Sequence, residues 1–423
     1  MPAASYSEAL MHYFPFLREN WRFVGFGVFL TFLSSFGQTF YVALYGGDIR
    51  AEYGLSHGGF GTVFSGASIA SALALVWVGK LIDRVELCTY TVACLAAMFA
   101  AMVAIAFVPG LAAFAVAIFV VRFCGQGLCV HISSTSMARY FFRDRGKALS
   151  IAGMGLAFGE AFLPAVTVAL IAMVGWHQGW LVTAAAVALL SLLLLPFLLK
   201  GQTARHVDYK ARLQRDSEAG GATTGWTRRQ VLADPVFYAV MALLLAFPYM
   251  ATAVFFHQAY IAEARGWPLE LLAGGFVVLA LLKVMTSLML GPLIDRYGAT
   301  ALVPAAAVPL AAAMLAILSS HDPLVPFAYL GLFGVSIGML QPIMASMLAE
   351  RYGVAHLGGI RAMAIAAMVL AAAAAPASVG WMLDGGIAVD AIATGFLVYL
   401  VVTAAMAALA LRRERGKGGI SVG

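Results

Sequence analysis

Twelve stretches of about 20 apolar residues, each nearly free of charge, follow one another along this chain, and a helix needs roughly that length to cross a hydrocarbon core about 30 Å thick. They lie near 22–47, 57–80, 88–108, 111–138, 147–174, 178–200, 235–262, 270–291, 300–319, 324–349, 357–383 and 389–411. No water-soluble core could absorb so many. Composition agrees, since 62% of the 423 residues are hydrophobic and only 11% charged, where soluble domains average about 25% charged. Inside a bilayer every backbone polar group must be satisfied within the protein, so apolar runs of this length imply helices. The fold class expected is an all-α membrane protein with twelve spans.

A repeat organises the spans. Gly79-Lys80-Leu81-Ile82-Asp83-Arg84, at the end of the second, returns as Gly291-Pro292-Leu293-Ile294-Asp295-Arg296 at the end of the eighth. The offset of 212 residues also carries Gly54 onto Gly266. The chain therefore reads as a parallel duplication: a six-helix half over 1–200, a cytoplasmic linker over 201–233, and a second half over 234–423. Duplicated transport proteins hold their solute where the halves meet. The linker collects Arg205, Lys210, Arg212, Arg215, Asp216, Glu218, Arg228 and Arg229 around Gly220-Gly221. It reads as a solvated connection with a short interfacial helix at most. It is too short for a nucleotide-binding domain, and no Gly-x-x-x-x-Gly-Lys-Ser/Thr occurs, which argues against ATP-driven transport.

Charge sets the orientation. Placing the amino terminus and every even-to-odd connection on one side gathers there all but four of the 26 Lys and Arg residues. Arg50 and Arg265 fall on the opposite side, while Arg122 and Lys283 lie within spans. The crowded side, with both termini, is expected to be cytoplasmic. The net charge of +6 is thus topology and gives no reason to expect a nucleic-acid partner. Glu8, Arg18 and Glu19, followed by an overlong apolar run, argue against a cleavable leader. Lean loops suggest a bacterial inner membrane, and the architecture is complete as a monomer. Cys88, Cys94, Cys124 and Cys129 read as small core residues, so no metal or cofactor is expected.

Three charges lie inside the spans. Each of Arg122, Glu160 and Lys283 costs at least about 2.5–3.5 kcal/mol near the bilayer centre, so each needs a partner, a wet cavity or a task. At 1.5 Å per residue all three fall near mid-depth. Arg122 and Glu160 sit on neighbouring spans, and an ion pair between them is the simplest arrangement. If it opens, Glu160 can carry a proton; if it is permanent, it only cements the spans. Lys283 has no acid within a span of its own half, which leaves its charge for an anion or for pairing with Glu160. Gln38, Tyr41 and Tyr45 recur at i, i+3 and i+7 on the first span. Tyr45 maps onto His257 by the repeat, and with Arg122 and with Gln341 on the tenth span these are candidate substrate contacts. His131 reads as a packing residue.

The duplicated hexapeptide resembles the cytoplasmic loop motif of the major facilitator superfamily, and Arg122-Phe123-Cys124-Gly125-Gln126-Gly127 is similar to its Arg-x-x-x-Gln-Gly pattern. The resemblance implies two pseudo-symmetric six-helix bundles. It makes Gly79, Asp83, Arg84, Gly291, Asp295 and Arg296 a cytoplasmic gate. Asp83 would accept from the start of span eleven near Gly358-Gly359, and Asp295 from the start of span five near Gly146. Arg139, Arg143 and Arg145 supply nearby positive charge. Val85-Glu86 departs from the usual small-residue turn, so the first latch is expected to be the weaker.

Lys283 also resembles the basic residue that monocarboxylate and oxalate/formate transporters place on span eight for a carboxylate. The function expected is secondary transport by alternating access, a small organic anion moving with protons. The alternative is proton-driven export of hydrophobic or cationic compounds, which the span-four pattern also fits. Against it, the antiporter motif is incomplete around Gly155 to Pro164, and Lys283 would repel a cation. A receptor or membrane enzyme is remote, because no soluble signalling domain is visible and His131, His257 and the cysteines form no catalytic grouping.

Overall fold

The computed structural model describes residues 13–107, 110–141, 144–202, 205–207, 225–319, 321–353 and 356–417. Arg143 and the linker from Lys210 to Gly221 lie outside the described residues. The helices are α1 (Pro15–Gly37), α2 (Thr39–Tyr53), α3 (His57–Asp83), α4 (Leu87–Ile105), α5 (Leu111–Tyr140), α6 (Arg145–Leu198), α7 (Pro235–Phe256), α8 (Gln258–Arg265), α9 (Leu269–Tyr297), α10 (Ala299–Ser319), α11 (Val325–Tyr352), α12 (Leu357–Asp384) and α13 (Val389–Lys417). Among the described residues the only β pairing is an isolated bridge between Gly225 and Gly353.

Ten helices are long and apolar enough to cross a membrane, and the bent pair α1–α2 makes an eleventh. The twelfth is inside α6. Its 54 residues would reach about 81 Å as one rod, more than twice a bilayer core. Gly175 interrupts it with φ 79° and ψ 168°, a conformation that glycine alone takes without strain, so α6 holds the fifth and sixth spans.

The first span is not the continuous helix the Gln38, Tyr41, Tyr45 spacing implies. Gln38 is extended, at φ −80° and ψ 155°, and α2 leaves α1 at 45°. Ala43–Tyr45 then tightens to a 3-10 turn before a regular helix over Gly46–Tyr53. Span seven repeats this ending residue for residue. His257 closes α7, Gln258–Arg265 forms the next eight-residue helix, and Gly266 ends it at φ 70°, as Gly54 ends the first at φ 61°. Both glycines are left-handed helix caps. The offset read from the hexapeptide therefore extends to the backbone of the first and seventh spans.

The chain forms two compact units: Met1–Gln38, Ala70–Gly159 and Leu170–Gly221 in the first, and Thr39–Ile69, Glu160–Ala169 and Ala222–Gly423 in the second. Small residues set the spacing within each, as bilayer helices require for close van der Waals contact. In the first, a Cβ on Gly155 would stand 2.0 Å from the Val28 carbonyl oxygen, and Thr31 donates to the Ala152 carbonyl. In the second, a Cβ on Gly334 would stand 2.3 Å from the Leu279 carbonyl and one on Gly338 2.5 Å from that of Lys283. The backbone carrying Lys283 is thereby clamped against α11.

The connection into α7 is tied down chemically. Thr227 and Gln230 form a reciprocal capping box on the short helix Arg228–Leu232. Asp234 caps α7 through Val236 N–H at 3.0 Å, and accepts from Arg351 at 2.8 and 3.0 Å and from the Tyr352 hydroxyl at 2.7 Å. Burial works to raise the Asp234 carboxyl. The bonds from Tyr352, Arg351 and Val236 and the Arg351 charge outweigh it and hold the group below its ordinary value of 3.8.

Candidate transport site

Glu160 on α6 and Lys283 on α9 form one ion pair, with Lys283 Nζ 2.9 Å from Oε1 and 2.7 Å from Oε2. Glu160 is only 8% exposed. The carboxylate spends both oxygens on the lysine, so the expected pairing with Arg122 is corrected. Lys283 correspondingly has the acidic partner that its own half lacks. Two opposite charges cancelled within hydrogen-bond distance satisfy the bilayer's demand, and α11 packing on the Lys283 backbone fixes one of them in place.

Arg122 has another task. It is 4% exposed, its Nη1 donates to the Gly37 carbonyl at 3.1 Å, and its Nη2 donates to Gln126 Oε1. Gly37 is the last residue before the break in the first span, where helix carbonyls lose their partners. Immediately after Arg122 the fifth helix widens to a π segment, Phe123–Cys129. A Cβ on Gly37 would come within 2.6 Å of Gln126 N, and one on Gly125 within 2.8 Å of Gly37 Cα. Arg122, Gly125 and Gln126 of the span-four pattern thus serve a helix break, a setting in which π segments recur at functional sites. Nearby, Cys94 Sγ donates to the Cys124 carbonyl at 3.6 Å.

Among the predicted substrate contacts, Tyr41 and Tyr45 are fully buried and share a hydroxyl hydrogen bond of 3.2 Å. His257 is buried and donates from Nε2 to the Pro376 carbonyl at 3.2 Å. Gln38 stands at the break, and Gln341 is exposed.

The residues expected to form the cytoplasmic gate are placed unequally. Asp83 accepts from Arg139, which also donates to the Ile82 carbonyl at 3.2 Å. Its duplicate Asp295 is exposed and makes no hydrogen bond or ion pair among the described residues. The first acidic residue, expected to be the weaker, is the one that is held. The His131 ring lies in ordinary van der Waals contact with Gly79 and donates to its carbonyl at 3.0 Å. Gly291 faces open space on an exposed part of α9. Arg84 is exposed, and Arg296 lies over the ring of its neighbour Tyr297. At the start of α12, Gly359 packs against the Arg228 guanidinium.

A carboxylate that joins two helices escaped sequence reasoning. Asp384, at the end of α12, caps α3 by accepting from His57 N–H at 3.0 Å and Gly58 N–H at 2.8 Å. The two helices touch backbone to backbone, for a Cβ on Gly61 would lie 2.2 Å from the Pro376 carbonyl and one on Gly380 2.6 Å from that of His57. Ser65 accepts from Ala377 N–H at 3.2 Å, Gln258 donates to the Phe40 carbonyl at 3.2 Å, and Phe60 stacks on Phe256 at 4.9 Å. The glycines Gly58, Gly61 and Gly380 were the available signal.

A family model for the Major Facilitator Superfamily matches residues 27–378. Among solved structures, the chain is similar to a bacterial homolog of the human lysosomal transporter Spinster in an inward-facing, unoccupied conformation, at 14% identity and TM-score 0.66 over 92% of this chain and 96% of that one. A D-xylose–proton symporter aligns at 15% identity and TM-score 0.68, covering 92% and 97%. The nucleoside transporter NupG aligns at 13% and 0.64, covering 93% and 98%. None of the curated proteins matches the sequence. The monocarboxylate and oxalate/formate branch finds no support among these likenesses. With the family model spanning most of its length and its helices arranged as in these neighbours, the chain belongs to the Major Facilitator Superfamily, an integral membrane transporter and not an enzyme.

Proposed function

We propose that the protein moves a small organic anion together with a proton, by alternating access, through competition at the Glu160–Lys283 pair. The observation that carries this reading is the double contact of Lys283 Nζ with both carboxylate oxygens, at 2.7 and 2.9 Å. An incoming carboxylate presents the same two acceptors and can replace Glu160 on the lysine. Glu160, released inside the membrane, is then stabilised by taking a proton. Anion and proton load together, and the site returns to a neutral pair when both leave. A hydrophobic cation would find no net charge there, which disfavours the drug-export alternative.

Alternating access further requires that α2 and α3 part from α7, α8 and α12 at the Asp384 latch, the end that the charge rule makes non-cytoplasmic. On this reading Asp83 and Arg139 belong to the opposite, cytoplasmic gate of an inner-membrane protein. Tyr41, Tyr45, His257, Gln38 and Gln341 remain proposed substrate contacts, with Arg122 holding the helix break beside them in sequence.

The test is uptake by the full-length protein in proteoliposomes under an inward proton gradient. Glu160→Gln should abolish gradient-driven accumulation of the anion yet retain anion exchange, since Lys283 is left free to bind. Lys283→Ala should abolish both. Undiminished accumulation in both variants would overturn the assignment. Beforehand, a thermal-shift screen of carboxylates against hydrophobic cations identifies the ligand class, since binding to the folded state raises Tm. Stabilisation by cations alone would favour the exporter.

A further inference from the structure

Beside the Asp384 latch, α2, α3, α7 and α8 border a half-open pocket whose polar lining is Arg50, His57, His257 and Tyr260. Counting its donors shows what it lacks. Arg50 has five N–H donors and no acceptor, and among the described residues its one hydrogen bond goes to His57 Nε2 at 3.1 Å. His57 therefore accepts on Nε2 and, uncharged, carries its proton on Nδ1. His257 already spends its Nε2 proton on Pro376. Tyr260 meets the His57 ring edge-on at 4.4 Å, and its hydroxyl makes no hydrogen bond among the described residues.

Asp48 and Glu52 flank Arg50 on α2, and neither forms an ion pair with it among the described residues. Asp384 spends both oxygens on the backbone of α3, Asp390 pairs with Arg265, and Glu263 on α8 is exposed and bonds to none of these groups. Arg50 makes no ion pair among the described residues. Of the two basic residues that the charge rule leaves on this side, one is thus neutralised by a carboxylate and the other faces a cavity. The remaining walls are apolar, with Phe60 and Phe256, and Gly47 borders open space with nothing within 4 Å of where a Cβ would stand.

A half-buried guanidinium with spare donors, a phenol hydroxyl and an imidazole N–H over an aromatic floor suit one class of ligand. A planar carboxylate accepts from the guanidinium fork in pairs, and a short alkyl group covers the phenylalanines. We propose that this cavity binds a small aliphatic carboxylate, forming a second anion station that shares no residue with the Glu160–Lys283 pair. The choice of ligand rests on the anion reading above; the site itself does not.

The experiment measures acetate binding to the full-length protein by titration calorimetry at constant ionic strength, with methylammonium as the control, in a Lys283→Gln background that removes the mid-membrane anion partner. Acetate should still bind. Adding Arg50→Gln should weaken it at least tenfold, and Arg50→Lys, which keeps the charge without the fork, should weaken it less. Gly47→Leu, one helical turn before Arg50, puts a side chain into the open space while keeping the guanidinium and should also cost at least tenfold, which covers the case in which Arg50→Gln fails to fold. Unchanged acetate affinity in the Arg50 and Gly47 variants, or equal binding of methylammonium, would overturn the proposal. Undiminished proton-driven uptake in Glu160→Gln and Lys283→Ala with Arg50-dependent acetate binding intact would reject the transport reading alone, and loss of uptake in those variants with acetate binding indifferent to Arg50 and Gly47 would reject this station alone.

Discussion

Glu160 and Lys283 show why charged residues within a membrane must be reasoned about as a set. Removing one partner of a buried pair leaves an uncompensated charge, which costs about 3–5 kcal/mol, whereas apolar replacement of both is near neutral. Lys283→Met alone should therefore lower Tm markedly, and Glu160→Leu with Lys283→Met should recover most of the loss while remaining inactive in uptake. Asp234 makes a different prediction. Its carboxyl is held below its ordinary value of 3.8 in the folded protein, so its contribution to stability is present at pH above the unfolded value and is lost as pH falls through the folded one. Thermal unfolding of Asp234→Asn should show a lower Tm than the parent at neutral pH and a flatter decline below about pH 4. The pairing of Glu160 was not legible in the sequence. Three mid-depth charges allow more than one match, and neighbouring position along the chain favoured Arg122, whereas Arg122 is drawn to a carbonyl freed by a helix break that neither composition nor periodicity reveals.

At the scale of elements, the spans themselves were legible because apolar runs near 20 residues admit one reading, and Gly54 and Gly266 announced matching helix ends. The break at Gln38 was not, since the weak helix formers around it, Ser34–Gly37 and Thr39–Val42, are ordinary in membrane helices and mark no boundary by themselves, while the close contact of Gly37 with Gly125 that accompanies the bend is tertiary. The contact of α3 with α12 yields a prediction of its own. No side chain fits between Gly61 and the Pro376 carbonyl or between Gly380 and the His57 carbonyl, so Gly380→Val should force the two helices apart. If their parting opens the transport path, a cysteine placed at Ser65 should react faster with a membrane-impermeant thiol reagent in that variant than in the parent. Equal reactivity would show that the contact is not a gate.

At the scale of the molecule, orientation rests on the uneven distribution of basic residues and can be checked directly. Cysteine at Arg50 and cysteine at Lys80 should label from opposite faces of intact cells, the first from outside. The duplication was legible because its hexapeptide and its capping glycines keep one offset, and two halves joined by a linker were the natural reading. The compact units follow other boundaries, passing within the first, second and fifth spans at Gln38, Ile69, Gly159 and Ala169. Those boundaries carry a consequence for dissecting the chain. A fragment ending in the linker would hold Thr39–Ile69 and Glu160–Ala169 without the helices of their own unit, and its complement would lack the segments that finish its packing. Expressed singly, each piece should be degraded; expressed together from separate reading frames, they should reassemble into a working transporter, because what they share is woven through three helices and not carried by the peptide that joins them.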